Sequence, residues 1–168
     1  AEFSLPNKSA YTVHVLKMCG SATKNDYNVK LYLPFIDKDY KKNVFNDFIL
    51  KKKFHIISVF KRKWKLNFIL RILFSILVAN KLKKINDKVV ISRSIITSIF
   101  LAIFQVKNIL EIHTEISGFT RYIFFLKKIS FIKKNLKFIT LNKILQKKLN
   151  LEKRKNIILN DAVNFDDF

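Results

Sequence analysis

The sequence predicts an α/β fold, a doubly wound and mainly parallel sheet of about seven strands. Three observations carry this. Short β-branched runs alternate with longer stretches of helical periodicity from one end of the chain to the other. Asn, Ser and Asp stand at the junctions, where such residues cap helices or stop them. A length of 168 residues, 49% of them hydrophobic, suffices for one domain with a real core and is short for two of ordinary size.

Taken in order, Ala1 to Leu5 (AEFSL) reads as a strand met in mid-course, as in a chain that starts after a cut. No basic, apolar and small-residue succession of a secretory signal is visible there. Pro6-Asn7-Lys8-Ser9 is a turn ending in an N-capping residue, and a helix follows to about Lys24, with Val15, Met18, Cys19 and Ala22 on one face. Asn25-Asp26 stops it. Asn28 to Leu33 alternates as a second strand, closed by Pro34. Residues 35–53 are loose and charged, with a short helix around Val44 to Phe48. Phe54 to Phe60 (FHIISVF) is the third strand, followed by the basic loop Lys61-Arg62-Lys63 and a long apolar helix from about Lys65 to Lys83. Asp87 to Ser92, Asn108 to His113, Leu136 to Leu141 and Asn156 to Leu159 supply four further strands. Between them lie helices over Ser94 to Gln105, Thr120 to Lys133 and, capped by Asn142, a short one to Leu149. Repeated β-α order with right-handed crossovers makes this a Rossmann-like sheet.

The two most apolar stretches, Leu66 to Leu82 and Ile95 to Val106, fall short of the roughly 20 residues that a bilayer span requires. Both are expected as buried helices. A single cysteine, Cys19, forms no internal disulfide, which suits a reducing cytoplasm, and a small buried helix residue is its expected role.

Against 33 Lys and Arg stand 12 Asp and Glu, a net charge of +21 that calls for a polyanion: nucleic acid, an acidic membrane or a phosphorylated substrate. The basic side is 28 Lys to 5 Arg in a chain rich in Ile, Phe, Leu and Asn, the skew of A+T-rich coding sequence. Single lysines therefore carry little weight. The charge runs from Lys8 to Lys155 without forming one stripe, and no helix-turn-helix, RNP-like or zinc-finger pattern occurs, so a nucleic-acid partner is not expected. Lys61-Arg62-Lys63-Trp64 is different: basic side chains beside an aromatic suit an anionic membrane surface.

In open parallel sheets ligands bind beyond the carboxyl ends of the strands. Asn7, Lys8 and Ser9 occupy one such loop. It lacks the Gly-x-Gly-x-x-Gly turn, so a nicotinamide, flavin or P-loop nucleotide is not expected, although its side chains could hold a phosphate or hydroxyl. Ser92-Arg93-Ser94 sets an arginine at a strand end, where it could grip a phosphate or carboxylate bidentately. In Glu111-Ile112-His113, alternation puts Glu111 and His113 on one face, with the histidine at the tip. Such a histidine can act as acid or base, or donate to a reacting sugar, while the carboxylate orients it. No His, Cys, Asp and Glu grouping has metal-ligand spacing, and no metal is expected.

Three segments resemble the N-terminal half of a family 4 glycosyltransferase of the GT-B fold. They are Pro6 to Met18 with Asn28 to Leu33; VVISRS (Val89 to Ser94) with ILEIHT (Ile109 to Thr114); and Thr140 to Lys143 with IILNDAVNFDDF (Ile157 to Phe168). The first loop lacks the family's glycine pair, and Asn160 and Ala162 replace its usual hinge proline and glycine. The resemblance implies that residues 1–168 form an acceptor-side domain, with the nucleotide-sugar-binding Rossmann domain missing and no cofactor bound by this half. It implies retaining transfer of a sugar to a lipid-linked or saccharide acceptor, without a metal. His113 would lie near the reacting carbon, Arg93 toward an anionic group, and Asn7, Lys8, Ser9 and Glu111 on the acceptor side. The expected place is the cytoplasm, peripheral to the inner face of the cell membrane.

Overall fold

The computed structural model describes residues 1–85, 88–151 and 156–159. The chain divides into two compact units, Ala1–Val78 and Ala79–Phe168.

The first unit holds α1 (Ala10–Lys24), β1 (Lys30–Leu33), α2 (Tyr40–Asp47), β2 (His55–Ser58) and most of α3 (Phe68–Lys83). Ser9 starts α1 by accepting a hydrogen bond from the Thr12 amide, and Asn25 ends it before Asp26 turns to a φ of 63°. β1 and β2 pair in parallel, Leu31 opposite Ile56 and Leu33 opposite Ser58. The ladder runs on beyond the strands, as Val59 N–H donates to the Leu33 carbonyl at 2.9 Å and Phe60 N–H to that of Pro34 at 2.8 Å. Leu5, Leu16, Leu33 and Val44 are fully buried in the core with Phe3, Phe54 and Ile56 around them. Each such side chain contributes about 2 kcal/mol by leaving water.

Two expectations change here. Ala1 to Leu5 is no strand: Leu5 makes one parallel bridge to Ile36, its N–H donating to the Phe35 carbonyl at 3.0 Å and its carbonyl accepting from the Asp37 amide at 3.3 Å, and the chain bends at Pro6 immediately after it. The long helix begins at Phe68 because Asn67 accepts from the Leu70 amide at 2.9 Å, so residues 65–67 lie outside it.

The second unit contains β3 (Ile91–Ser92), α4 (Ile95–Ile103), β4 (Asn108–Ile112), α5 (Phe119–Phe125), a 3-10 turn at Leu126–Lys128, α6 (Ser130–Asn135), β5 (Leu136–Thr140), α7 (Lys143–Lys148) and β6 (Ile157–Ile158). Its four strands form one parallel sheet in the order β3-β4-β5-β6. Ile99, Leu110, Ile132, Phe138 and Leu151 fill the core. At the amino edge of this sheet the buried Asn108 side-chain amide reaches the carbonyls of Ser98, Val106 and Asn135 at 3.1 to 3.3 Å.

The α/β class and the parallel pairing stand. The single sheet of about seven strands does not: among the described residues there are six strands in two sheets, of two and four strands. Alternation marks a strand without saying which strand it pairs with, so counting strands overstated the sheet. The Asp87 to Ser92 strand is reduced to Ile91–Ser92, with Asp87 outside the described residues. The Thr120 to Lys133 helix is broken at Ile129, whose extended backbone (ψ 132°) separates α5 and its 3-10 turn from α6. Gln105, at a φ of 60°, lies past the end of α4. Among the described residues no helix is long and apolar enough to cross a membrane.

Candidate functional site

Parallel register builds the site. Ser92 stands opposite Leu110, which brings the next residues, Arg93 and Glu111, side by side at the carboxyl ends of β3 and β4. The Arg93 Nε lies 3.8 Å from Glu111 Oε2, and the His113 Nε2 lies 2.6 Å from Glu111 Oε1. Each side chain is only 11% to 15% exposed. One carboxylate thus gathers a guanidinium and an imidazole in a partly dry setting, where charge-assisted hydrogen bonds are stronger than in water.

The backbone under Arg93 is fixed by its two serines. Ser92 Oγ accepts from the Ser94 amide at 3.1 Å and donates to the Ser94 carbonyl at 3.2 Å, while Ser94 Oγ caps α4 by accepting from the Thr97 amide at 3.2 Å. Both serines are buried. Their part in aiming Arg93 is visible in the sequence as a Ser-x-Ser flank at a helix start, a signal that sequence reasoning used only to mark the strand end.

Chemically, the carboxylate engages the Nε2 edge of His113 and thereby sets the ring's orientation, the usual preparation for an imidazole that gives or takes a proton. Arg93 brings positive charge to the same strand ends, suited to a phosphate or carboxylate.

Asn7, Lys8 and Ser9 belong to the first unit and are exposed. Asn7 Oδ1 accepts from the Ser9 amide at 2.8 Å and Ser9 Oγ serves as the cap of α1, so these two side chains hold the turn. Lys61, Arg62, Lys63 and Trp64 are exposed as well; Phe60, Lys61, Arg62, Trp64, Leu70 and Leu73 line an open groove of about 410 Å³. Cys19 is half-buried in α1, and burial raises its thiol pKa to about 11, the Ala1 ammonium opposing this in part. That is the setting of an unreactive thiol. The Asn160 to Phe168 segment lies outside the described residues.

No family model matches the chain, and neither a curated protein nor a solved structure matches it.

Proposed function

We propose that the chain is the acceptor-binding half of a retaining glycosyltransferase, one that passes a sugar from a nucleotide donor to a lipid-linked or saccharide acceptor. The observation that supports this reading is the Glu111 carboxylate holding both Arg93 and His113 at the ends of neighbouring parallel strands. On this reading His113 serves the reacting centre, Glu111 positions its ring, and Arg93 takes an anionic group of the acceptor. Asn7, Lys8 and Ser9 line the acceptor side, and the nucleotide sugar binds chiefly to a second Rossmann domain.

The test follows the His113 ring resonances by NMR during titration of the 168-residue chain with a sugar pyrophosphate. Expected are shifts at His113 that Arg93→Ala weakens roughly tenfold, the effect of losing one charge-assisted contact. Turnover of a nucleotide sugar by this chain alone would overturn the two-domain account. In a protein carrying both domains, His113→Ala should cut turnover far more than donor affinity.

A second reading, a basic α/β module that docks on membranes without catalysis, is favoured by the groove beside Trp64. Quenching of the Trp64 emission by brominated anionic vesicles tests it; unchanged emission would remove it.

A further inference from the structure

Residues 119–132 carry apolar side chains on both sides: Phe124 and Ile132 are buried in the core, and a second apolar set faces outward. Tyr122 is 71% exposed, Phe125 49%, Ile129 40% and Phe131 50%, yet Lys127 in their midst is 5% exposed. The lysine lies against the unit, its Nζ donating to the Leu149 carbonyl at 2.5 Å and standing 3.9 Å from the Phe124 ring centroid. Water alone would favour the reverse, because burying an ammonium costs free energy and burying an aromatic ring releases it. Phe119, 62% exposed, and Leu126, 38%, extend the same outward face.

Charge identifies the medium. Arg121, Lys128, Lys133 and Lys134 are all exposed around these rings, and no Asp or Glu occurs from Ile116 to Leu151. The Lys128 ammonium stands 5.2 Å from the Phe125 ring centroid. Aromatic and aliphatic groups facing outward within a fringe of cations match the boundary between acyl chains and anionic headgroups. The exposed leucine and isoleucine fit hydrocarbon better than stacked bases.

We propose that the outward face of α5, its 3-10 turn and α6 is a docking surface for an anionic lipid bilayer. It belongs to the second unit, the Lys61 to Trp64 loop to the first, and it does not depend on glycosyl transfer. It follows β4 directly in the chain, six residues beyond His113 at Phe119, so docking would carry the carboxyl end of that strand to the lipid surface.

The test uses the whole chain with Trp64→Phe and Phe125→Trp, so that the sole tryptophan reports on this face. With vesicles of phosphatidylcholine and brominated phosphatidylglycerol, the emission should shift to the blue and be quenched; with phosphatidylcholine alone it should change little. Tyr122→Ser with Phe125→Ser in the wild-type background should weaken vesicle co-sedimentation roughly tenfold or more. Tyr122 is mostly and Phe125 about half in water, so circular dichroism should match wild type and melting should shift only slightly. Three outcomes would overturn the proposal: an unquenched reporter on a vesicle-bound protein, undiminished binding by the serine pair, or loss through that pair of self-association or of oligonucleotide binding in place of lipid binding. Each reads lipid contact and none reads transfer.

Discussion

Asn7-Lys8-Ser9 and Ser92-Arg93-Ser94 are nearly the same turn, placed once in each unit. In both, the first side chain accepts from the amide two residues on, the serine caps the helix, and a threonine amide three residues later completes the cap. The residue between them is basic in both. What differs is the neighbouring strand. Glu111 meets Arg93 at matching register, whereas the pairing ahead of the first turn is the single bridge of Leu5 to Ile36, which stops short of Lys8. Arg93 is therefore drawn into a charged cluster and Lys8 stays in water. A helix-entry turn presents a charge; a carboxylate on the adjacent strand makes that charge part of a site.

The largest test of this contrast is Glu111→Ala, which leaves Arg93 partly buried without its carboxylate. Urea denaturation should show a loss of about 3 kcal/mol, the lower edge for breaking a buried pair, because the cluster keeps some exposure. Asn108→Ala comes next, at about 2 kcal/mol, since it leaves buried carbonyls without their amide. Ser9→Ala and Ser94→Ala should each cost about 1 kcal/mol as lost caps. Their equality would show that the turns are energetically alike, with the difference lying in the partner; a loss confined to Ser94 would break the comparison. Lys8→Ala should change stability by less than about 0.5 kcal/mol, as surface substitutions do.

Cys19 offers a smaller readout of the first unit alone. Its folded thiol pKa, about 11, exceeds the ordinary value. The associated stabilisation is complete below that ordinary value, near 8.5 to 9, and is lost as the pH climbs through the folded pKa. At pH 8 alkylation should be slow in the native chain and fast in urea. Followed through a urea series, it reports the opening of α1, while the emission of a tryptophan placed in the second unit reports the other half.

The cluster was legible because alternation is rigid: residues two apart on a strand share a face, which is enough to pair Glu111 with His113. Capping residues likewise located the starts of α1 and α7. Pairing was not legible. Residues 1–5 alternate as well as many strands do, and only Pro6 and the bridge to Ile36 reveal how little of the segment is paired. The outward apolar face was hidden for a different reason: periodicity in 120–133 locates an apolar side, and reading it presumes that such a side faces inward. Phe124 and Ile132 obey that presumption, Tyr122, Phe125 and Phe131 do not, and Lys127 is buried; nothing in the identity of a single lysine announces it.

The Asn108 amide ties Ser98 in α4, the turn at Val106 and the end of α6 to the start of β4. The consequence is mechanical. One end of the four-stranded sheet is riveted across three segments, so the sheet behaves as a cantilever, with deflection greatest at the carboxyl tips where Arg93 and His113 stand. Slow hydrogen exchange should be concentrated at the riveted end and should fade along β4 toward Ile112.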